Sequence, residues 1–160
     1  MTKIKNFRTL NRVAQYAAFP NSMLLRKILP FCYVVLLQLL TGIPKPNTLQ
    51  DRDFNDFAVT FASQIFDYPF WIQDLSHFPL FFILAWFSQW FWQEKTDSTN
   101  RILNLKAIIF AVFFSIFNEF IQAFIPDRFP TAGDLLMNLL GVGVGTYVFL
   151  RVSKLAKNHS

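Results

Sequence analysis

The sequence predicts an all-α integral membrane protein: a bundle of four transmembrane helices with two amphipathic surface helices. Hydrophobic residues make up 53% of the 160 residues and charged residues only 16%, whereas soluble domains average about 45–50% and about 25%. Twenty-one residues are Phe, which is more aromatic surface than one small soluble core can hide. Finally, the apolar residues are gathered in long runs that contain no Lys or Arg.

Four of these runs are the predicted spans, because about 20 apolar residues cover a hydrocarbon core about 30 Å thick. They are residues 28–43, 75–92, 107–125 and 135–150. The chain is accordingly divided into a cytoplasmic amphipathic segment at 1–27, a membrane domain at 28–150 and a cytoplasmic tail at 151–160. The stretch before the first span is too charged for the core of a signal peptide, so no cleaved targeting segment is expected.

The basic residues predict the orientation of the chain in the cell membrane. All but three of the 15 Lys and Arg precede the first span, separate the second from the third, or follow the fourth. The exceptions are Lys45, Arg52 and Arg128. Because basic loops stay in the cytoplasm, both termini are predicted to be cytoplasmic. Membrane topology thus explains the net charge of +5, and no nucleic-acid partner is expected.

Two segments outside the spans have an amphipathic helical pattern. Residues 1–20 place apolar side chains at steps of three or four between basic ones, which is typical of a helix on an anionic cytoplasmic leaflet. Residues 53–67, in the first outer loop, combine an apolar face with an acidic one and predict a helix on the outer leaflet. Membrane lipids are therefore expected partners of both segments.

Polar residues inside spans are costly in lipid, so their placement is informative. Glu119 and Gln122 share one face of the third span near its outer end, since they are three residues apart. Asp134 and Asn138 begin the fourth span at the same depth. The sequence predicts one outward-facing polar site from the second, third and fourth spans and the turn between the last two. Its residues are His77, Glu119, Gln122, Arg128, Asp134 and Asn138.

A stripe of small residues continues along the fourth span. Gly141-Val-Gly-Val-Gly145 is a GxxxG pattern, which lets a neighbouring helix backbone approach closely. Gly141 and Gly145 are therefore predicted to pack helices together, within one chain rather than between two copies.

Several of these residues form one ordered pattern. It reads Glu119-x-x-Gln122, Pro126-x-Arg128 and Asp134-x-x-x-Asn138-x-x-Gly141-x-x-x-Gly145, with His77 in the second span. This pattern resembles the signature of the VanZ-like family of small polytopic membrane proteins. Family members often carry a Lys three residues before the histidine, where this chain has Asp74, so a role for that cation is not carried over. The family is named for a protein associated with teicoplanin resistance, and most members have no assigned reaction, so the resemblance implies a fold and a site more than an activity.

Two interpretations of the polar residues stay open. In one, Arg128 pairs with Glu119 or Asp134 and only joins the third and fourth spans. In the other, the residues line a pocket for a headgroup, where Gln122 and Asn138 offer donors and acceptors and Arg128 a fork for phosphate or carboxylate. One Arg facing several carboxylates favours a sugar, an amine or a metal-bridged ligand over a bare anion.

Two further classes of function are alternatives. Glu119 and Asp134 could form an acid–base pair of a membrane enzyme with His77 as proton carrier, although no nucleophile, glycine-loop or cofactor motif is present. The Phe-rich spans would equally suit an accessory or structural subunit of a larger membrane complex. We favour a non-catalytic protein of the cell envelope whose polar site takes a lipid-linked or glycan headgroup. No cofactor and no resident metal are expected.

Overall fold

The computed structural model describes residues 13–41, 73–93, 103–125 and 131–157. A π-helical turn, Leu24–Ile28, continues directly into α1, Leu29–Thr41, and a 3₁₀ turn, Gln73–Ser76, leads into α2, His77–Trp92; α3 is Leu105–Gln122 and α4 is Ala132–Lys157. No strand occurs in these four ranges. The predicted all-α class is therefore confirmed for the described part of the chain.

Three helices are long and apolar enough to cross a membrane, namely Leu24–Thr41, Leu105–Gln122 and Ala132–Lys157. They match the first, third and fourth predicted spans. Helix α2 has 16 residues and is not among the three, so the crossing at 75–92 and the complete four-span bundle stay predictions. The same holds for the orientation of the termini. The outer-loop helix expected at 53–67 lies outside the described residues.

Helix α2 is central and contacts α1, α3 and α4, with its largest contact on α4. The core between them is built from Leu37 of α1, Phe81 and Leu84 of α2, Phe114 of α3 and Val142 of α4. Large apolar side chains on the outer surfaces of these helices are exposed, as expected for helices that face lipid. The buried core is thus small, and α2 is the helix that contacts the other three.

Helices α2 and α4 run parallel and touch through their backbones at two glycines. A Cβ atom at Gly141 would lie 2.5 Å from the carbonyl oxygen of Phe78, and one at Gly145 would lie 2.6 Å from that of Phe82. Neither position has room for a side chain, because the obstructing atoms belong to the α2 backbone. A Cβ at Gly143 would meet nothing within 4 Å. The stripe of small residues therefore faces a helix of the same chain.

At the other end of α2, hydrogen bonds join its last turn to the start of α3, the next helix in the sequence. Gln89 accepts from the backbone N–H of Asn104 (2.9 Å), whose side chain donates to the carbonyl of Trp92 (2.9 Å) and accepts from the N–H of Lys106 (3.0 Å). Asn104 is thus the N-cap of α3, since its side chain satisfies an otherwise unpaired donor of the first turn. These bonds fix where α3 starts relative to the end of α2.

The residues at 13–18 are helical and are attached to α2 by two tryptophans. The indole N–H groups of Trp86 and Trp90 both donate to the carbonyl of Ala17, at 3.0 and 2.8 Å. Ala14 and Ala18 are buried. This part of the predicted N-terminal surface helix therefore packs on the protein, while its contact with a leaflet stays a prediction.

We expect Gly141→Ala and Gly145→Ala each to lower the free energy of unfolding by about 1–3 kcal/mol, because the new methyl group pushes α2 and α4 apart. The matched control is Gly143→Ala, which adds the same methyl group to open space and should be neutral or stabilise the helix by up to about 1 kcal/mol. Unfolding of the purified protein in detergent measures all three. Equal effects at the three positions would contradict the close α2–α4 contact.

We expect the double variant Trp86→Phe/Trp90→Phe to speed hydrogen exchange at residues 13–18 severalfold, because the carbonyl of Ala17 loses both donors while the rings remain. Hydrogen exchange read by mass spectrometry measures this. Trp92→Phe is the control, since Trp92 is also near the end of α2 but makes no bond to Ala17. Unchanged exchange in the double variant would show that apolar packing alone holds this segment.

Candidate functional site

The site lies at one end of the bundle, where α2 and α4 begin and α3 ends. Parallel packing of α2 on α4 places their first residues side by side, and α3, running the other way, brings its last turn to them. The start of α4 is fixed by Thr131, whose hydroxyl accepts from the backbone N–H of Asp134 at 2.9 Å. An Asp in the first turn also suits the positive end of the helix dipole.

Four of the predicted site residues form one connected chain of contacts. Asn138 donates from Nδ2 to Oε1 of Glu119 at 2.7 Å, and its Oδ1 lies 3.0 Å from Nδ1 of His77. Nε2 of His77 lies 3.3 Å from Oδ1 of Asp134, and Nδ1 lies 3.9 Å from Oε1 of Glu119. The imidazole therefore stands between the two carboxylates, with Asn138 as the connecting amide.

These contacts indicate which ring nitrogen of His77 carries the hydrogen. Since Asn138 uses Nδ2 to donate to Glu119, its Oδ1 is the acceptor for His77, and Nδ1 of His77 carries a hydrogen. Nε2 then faces Oδ1 of Asp134. The amide thus sets the tautomer of the histidine and directs Nε2 at Asp134.

The network is buried at one end and reaches the surface at the other. The side chains of His77 and Asp134 are 14% and 12% exposed, whereas that of Glu119 is 3% exposed. Asn138 is completely buried. A molecule that approaches this end of the bundle therefore meets the His77–Asp134 pair first and Asn138 last.

A second set of amides lines the same face of α3. Asn118 and Gln122, one turn apart, are both buried. Neither Oδ1 nor Nδ2 of Asn118 has a hydrogen-bond partner in the described part of the chain, and Nε2 of Gln122 has none there either. A buried polar group without a hydrogen bond lowers the free energy of unfolding by about 1–3 kcal/mol. These three atoms, beside Glu119, could therefore form hydrogen bonds with a bound molecule.

The structure brings four of the predicted residues together and adds the contacts that join them, while their role as a ligand site stays a prediction. His77, Glu119, Asp134 and Asn138 come together, and Gln122 lies on the α3 face that carries Glu119. Arg128, which was expected above the site, lies outside the described residues. Asn118 was not among the predicted site residues, although its position one residue before Glu119 and one turn before Gln122 was a readable signal.

The charges of the described residues are separated between the two ends of the bundle. The carboxylates of Glu119 and Asp134 lie at the site. The Lys and Arg residues of the described ranges all lie toward the opposite end, and they are Arg26, Lys27, Lys106, Arg151, Lys154 and Lys157. Within these ranges no three His, Cys, Asp or Glu side chains are grouped as metal ligands. The described site is therefore acidic, with His77 as its one titratable base.

We expect Asn138→Leu to lower the free energy of unfolding by about 2–4 kcal/mol, because it removes the buried amide that bonds to both His77 and Glu119. The double variant Asn138→Leu/Glu119→Leu should cost clearly less than the sum of the two single variants, since both ends of one hydrogen bond are then apolar. Chemical unfolding in detergent gives the four free energies. Simple additivity would mean that Asn138 and Glu119 act independently.

Comparison with known proteins supplies a family. A family model described as VanZ/LLP1 matches residues 25–153, which include all four helices up to the last turn of α4. No curated protein and no solved structure matches the chain. The match covers most of the chain and contains the whole His77–Asp134–Asn138–Glu119 network, as the residue pattern predicted. The chain therefore belongs to the VanZ/LLP1 family.

Proposed function

We propose that this VanZ-like membrane protein binds, without catalysing a reaction, the hydroxyl-rich headgroup of a lipid-linked or glycan molecule at the outer face of the cell membrane. The observation that supports this most is the buried network that reaches the surface through one polar pair. His77 and Asp134 are partly exposed, and Glu119 and Asn138 lie behind them. Such convergence of polar groups from three helices is typical of a small-molecule site.

The hydrogen-bonding groups suit hydroxyl ligands. A hydroxyl donates one hydrogen bond and accepts others, so it pairs equally with a carboxylate and with an amide. Asp134 offers an acceptor at the surface, and Asn118 and Gln122 on α3 hold donors and an acceptor that have no hydrogen-bond partner in the described part of the chain. A sugar or polyol that separates α3 slightly from α4 would satisfy these groups, and their cost in the free protein would favour that binding.

The charges restrict the ligand further. Two carboxylates and one histidine form the described site, and the described cations are all remote from it. A bare phosphate would be repelled by Glu119 and Asp134 unless Arg128, proposed to cover the site, compensates them. A neutral sugar, an amine or a metal-bridged headgroup is therefore the better match.

A membrane enzyme is the second candidate, and one geometric observation favours it. His77 stands between Asp134, at 3.3 Å, and Glu119, at 3.9 Å, with its tautomer set by Asn138. This arrangement can pass a proton between a surface group and a buried carboxylate, as general acid–base catalysis requires. A subunit role in a larger complex is the remaining alternative, supported by exposed rings such as Phe31 and Phe113.

Native mass spectrometry of the full chain, released gently from its own membrane, tests the proposal. We expect one discrete bound lipid-linked or glycan molecule, with occupancy reduced about tenfold in Asp134→Asn and Glu119→Gln through loss of a charge-assisted hydrogen bond. Both variants keep the shape of the side chain. Ser115→Ala is the matched control on α3, because within the described ranges the hydroxyl of Ser115 bonds to the carbonyl of Ala111 one turn earlier and to no residue of the network.

Two outcomes would contradict the proposal. A stoichiometric complex with other membrane proteins and no retained small molecule would favour the subunit alternative and make the network structural. Equal retention in the two site variants and in Ser115→Ala would place the bound molecule elsewhere. A retained molecule that the wild type converts and Asp134→Asn does not would instead favour the enzyme.

A further inference from the structure

A buried arginine at the opposite end of the bundle has no ion-pair partner among the described residues. Arg26 is only 9% exposed. In the described ranges its Nε has no hydrogen-bond partner, and no carboxylate there lies within ion-pair distance of its guanidinium. Removing a charge from water without pairing it costs several kcal/mol. Among the described residues of this end, Arg26 is therefore the buried cation that an added anion would stabilise most.

The helix around Arg26 is widened, and Pro30 explains why. Proline has no backbone N–H, so the carbonyl of Arg26 cannot receive the usual bond from the residue four positions later. The turn Leu24–Ile28 just before it is π-helical, with the N–H of Leu29 bonded to the carbonyl of Leu24. Such wide turns often occur at functional sites. Arg26 thus sits in the middle of a local break in helix geometry.

The neighbouring lysine, Lys27, already has a partner in α2. Nζ of Lys27 donates to the carbonyl of Phe91 and lies 4.3 Å from the centre of the Phe91 ring. A cation at the last turn of a helix satisfies unpaired carbonyls and suits the helix dipole. Lys27 therefore fastens the π-helical turn to the end of α2, and Arg26 is the cation of that turn for which the described residues provide no ion pair.

The surroundings of Arg26 favour an amphiphilic anion over a free one. Leu24, Leu25, Ile28 and Leu29, which share its turn, are exposed apolar side chains. The turn is also the beginning of a helix long and apolar enough to cross a membrane. An anion that brings its own hydrocarbon chain would cover these side chains while its phosphate reaches the guanidinium, which binds phosphate through two parallel hydrogen bonds.

We propose that Arg26 holds the phosphate of an anionic phospholipid at the end of the bundle where the described basic residues gather. This site is separate from the His77–Asp134 site and does not depend on the function proposed for it. The gathered positive charge of Lys106, Lys154 and Lys157 attracts the anionic leaflet generally. Arg26 gives one lipid a fixed position within it.

The test uses the full chain in nanodiscs of phosphatidylcholine, with or without phosphatidylglycerol. After release into detergent, native mass spectrometry should find one retained phosphatidylglycerol on the wild type and about tenfold less on Arg26→Gln, because a charge-assisted phosphate contact is lost. Lys154→Gln is the matched control, since it removes one exposed positive charge from the same end of the bundle. It should retain the lipid as the wild type does.

Thermal unfolding of a second variant, Arg26→Met, tests the proposal even if Arg26→Gln folds poorly. Arg26→Met replaces the buried charge by an apolar chain of similar length and should be at least as stable as the wild type in phosphatidylcholine alone. Phosphatidylglycerol should raise the melting temperature of the wild type and of Lys154→Gln but not that of Arg26→Met. An equal rise in Arg26→Met, or no rise in the wild type, would overturn the proposal.

A last experiment distinguishes the phosphate of a lipid from free inorganic phosphate. Inorganic phosphate added to the wild type in phosphatidylcholine nanodiscs should leave the melting temperature unchanged, because it lacks the acyl chains that cover the exposed leucines. Stabilisation by inorganic phosphate equal to that by phosphatidylglycerol, and absent in Arg26→Met, would overturn the lipid assignment in favour of a free anion.

Discussion

The backbone contact between α2 and α4 is the constraint on which the rest of the structure depends. With no side chain at Gly141 or Gly145, α4 lies against the carbonyls of Phe78 and Phe82. The two helices run parallel, so this contact also aligns their first turns. His77 therefore reaches both Asp134 and Asn138, which lie on the same face of α4 as the glycines. A wider separation of the helices would move the imidazole of His77 out of contact with Asp134 and Asn138.

The described part of the molecule has two chemically different ends. At one end, carboxylates, amides and a histidine form a connected network behind a partly exposed pair. At the other, six cations surround the start of α1 and α3 and the end of α4, and tryptophan and asparagine bonds fasten the chain to α2. Lipid-facing apolar surface separates the two. This separation of charge is the basis of the two ligands proposed above, a hydroxyl-bearing headgroup at the acidic end and an anionic lipid at the basic one.

Buried polar groups without partners are informative here because a bilayer offers no water to satisfy them. Asn118 and Arg26 are unrelated in position, yet both carry buried atoms for which the described residues provide no hydrogen bond. In a soluble protein a trapped water would be the ordinary explanation. For Arg26, at the start of a helix long and apolar enough to cross a membrane, the proposed occupant is an anionic lipid, because such a molecule has both the charge and the hydrocarbon chain that this position would accept.

The sequence by itself determined the all-α class, three of the spans and the family. These follow from local properties, since apolar run length and the spacing of Glu119, Asn138 and Gly141 can be read along one chain. The sequence also predicted that most of the candidate site residues lie near one end of the bundle, because the direction of each span and the position of a residue along it determine its depth in the membrane. Only the tertiary structure decided that Asn138 joins His77 to Glu119 and that Gly145 packs on α2 while Gly143 does not. It also decided that Arg26 is buried with no ion-pair partner among the described residues. Those facts depend on how helices are rotated and paired, which the periodicity of a span apolar on every side does not reveal.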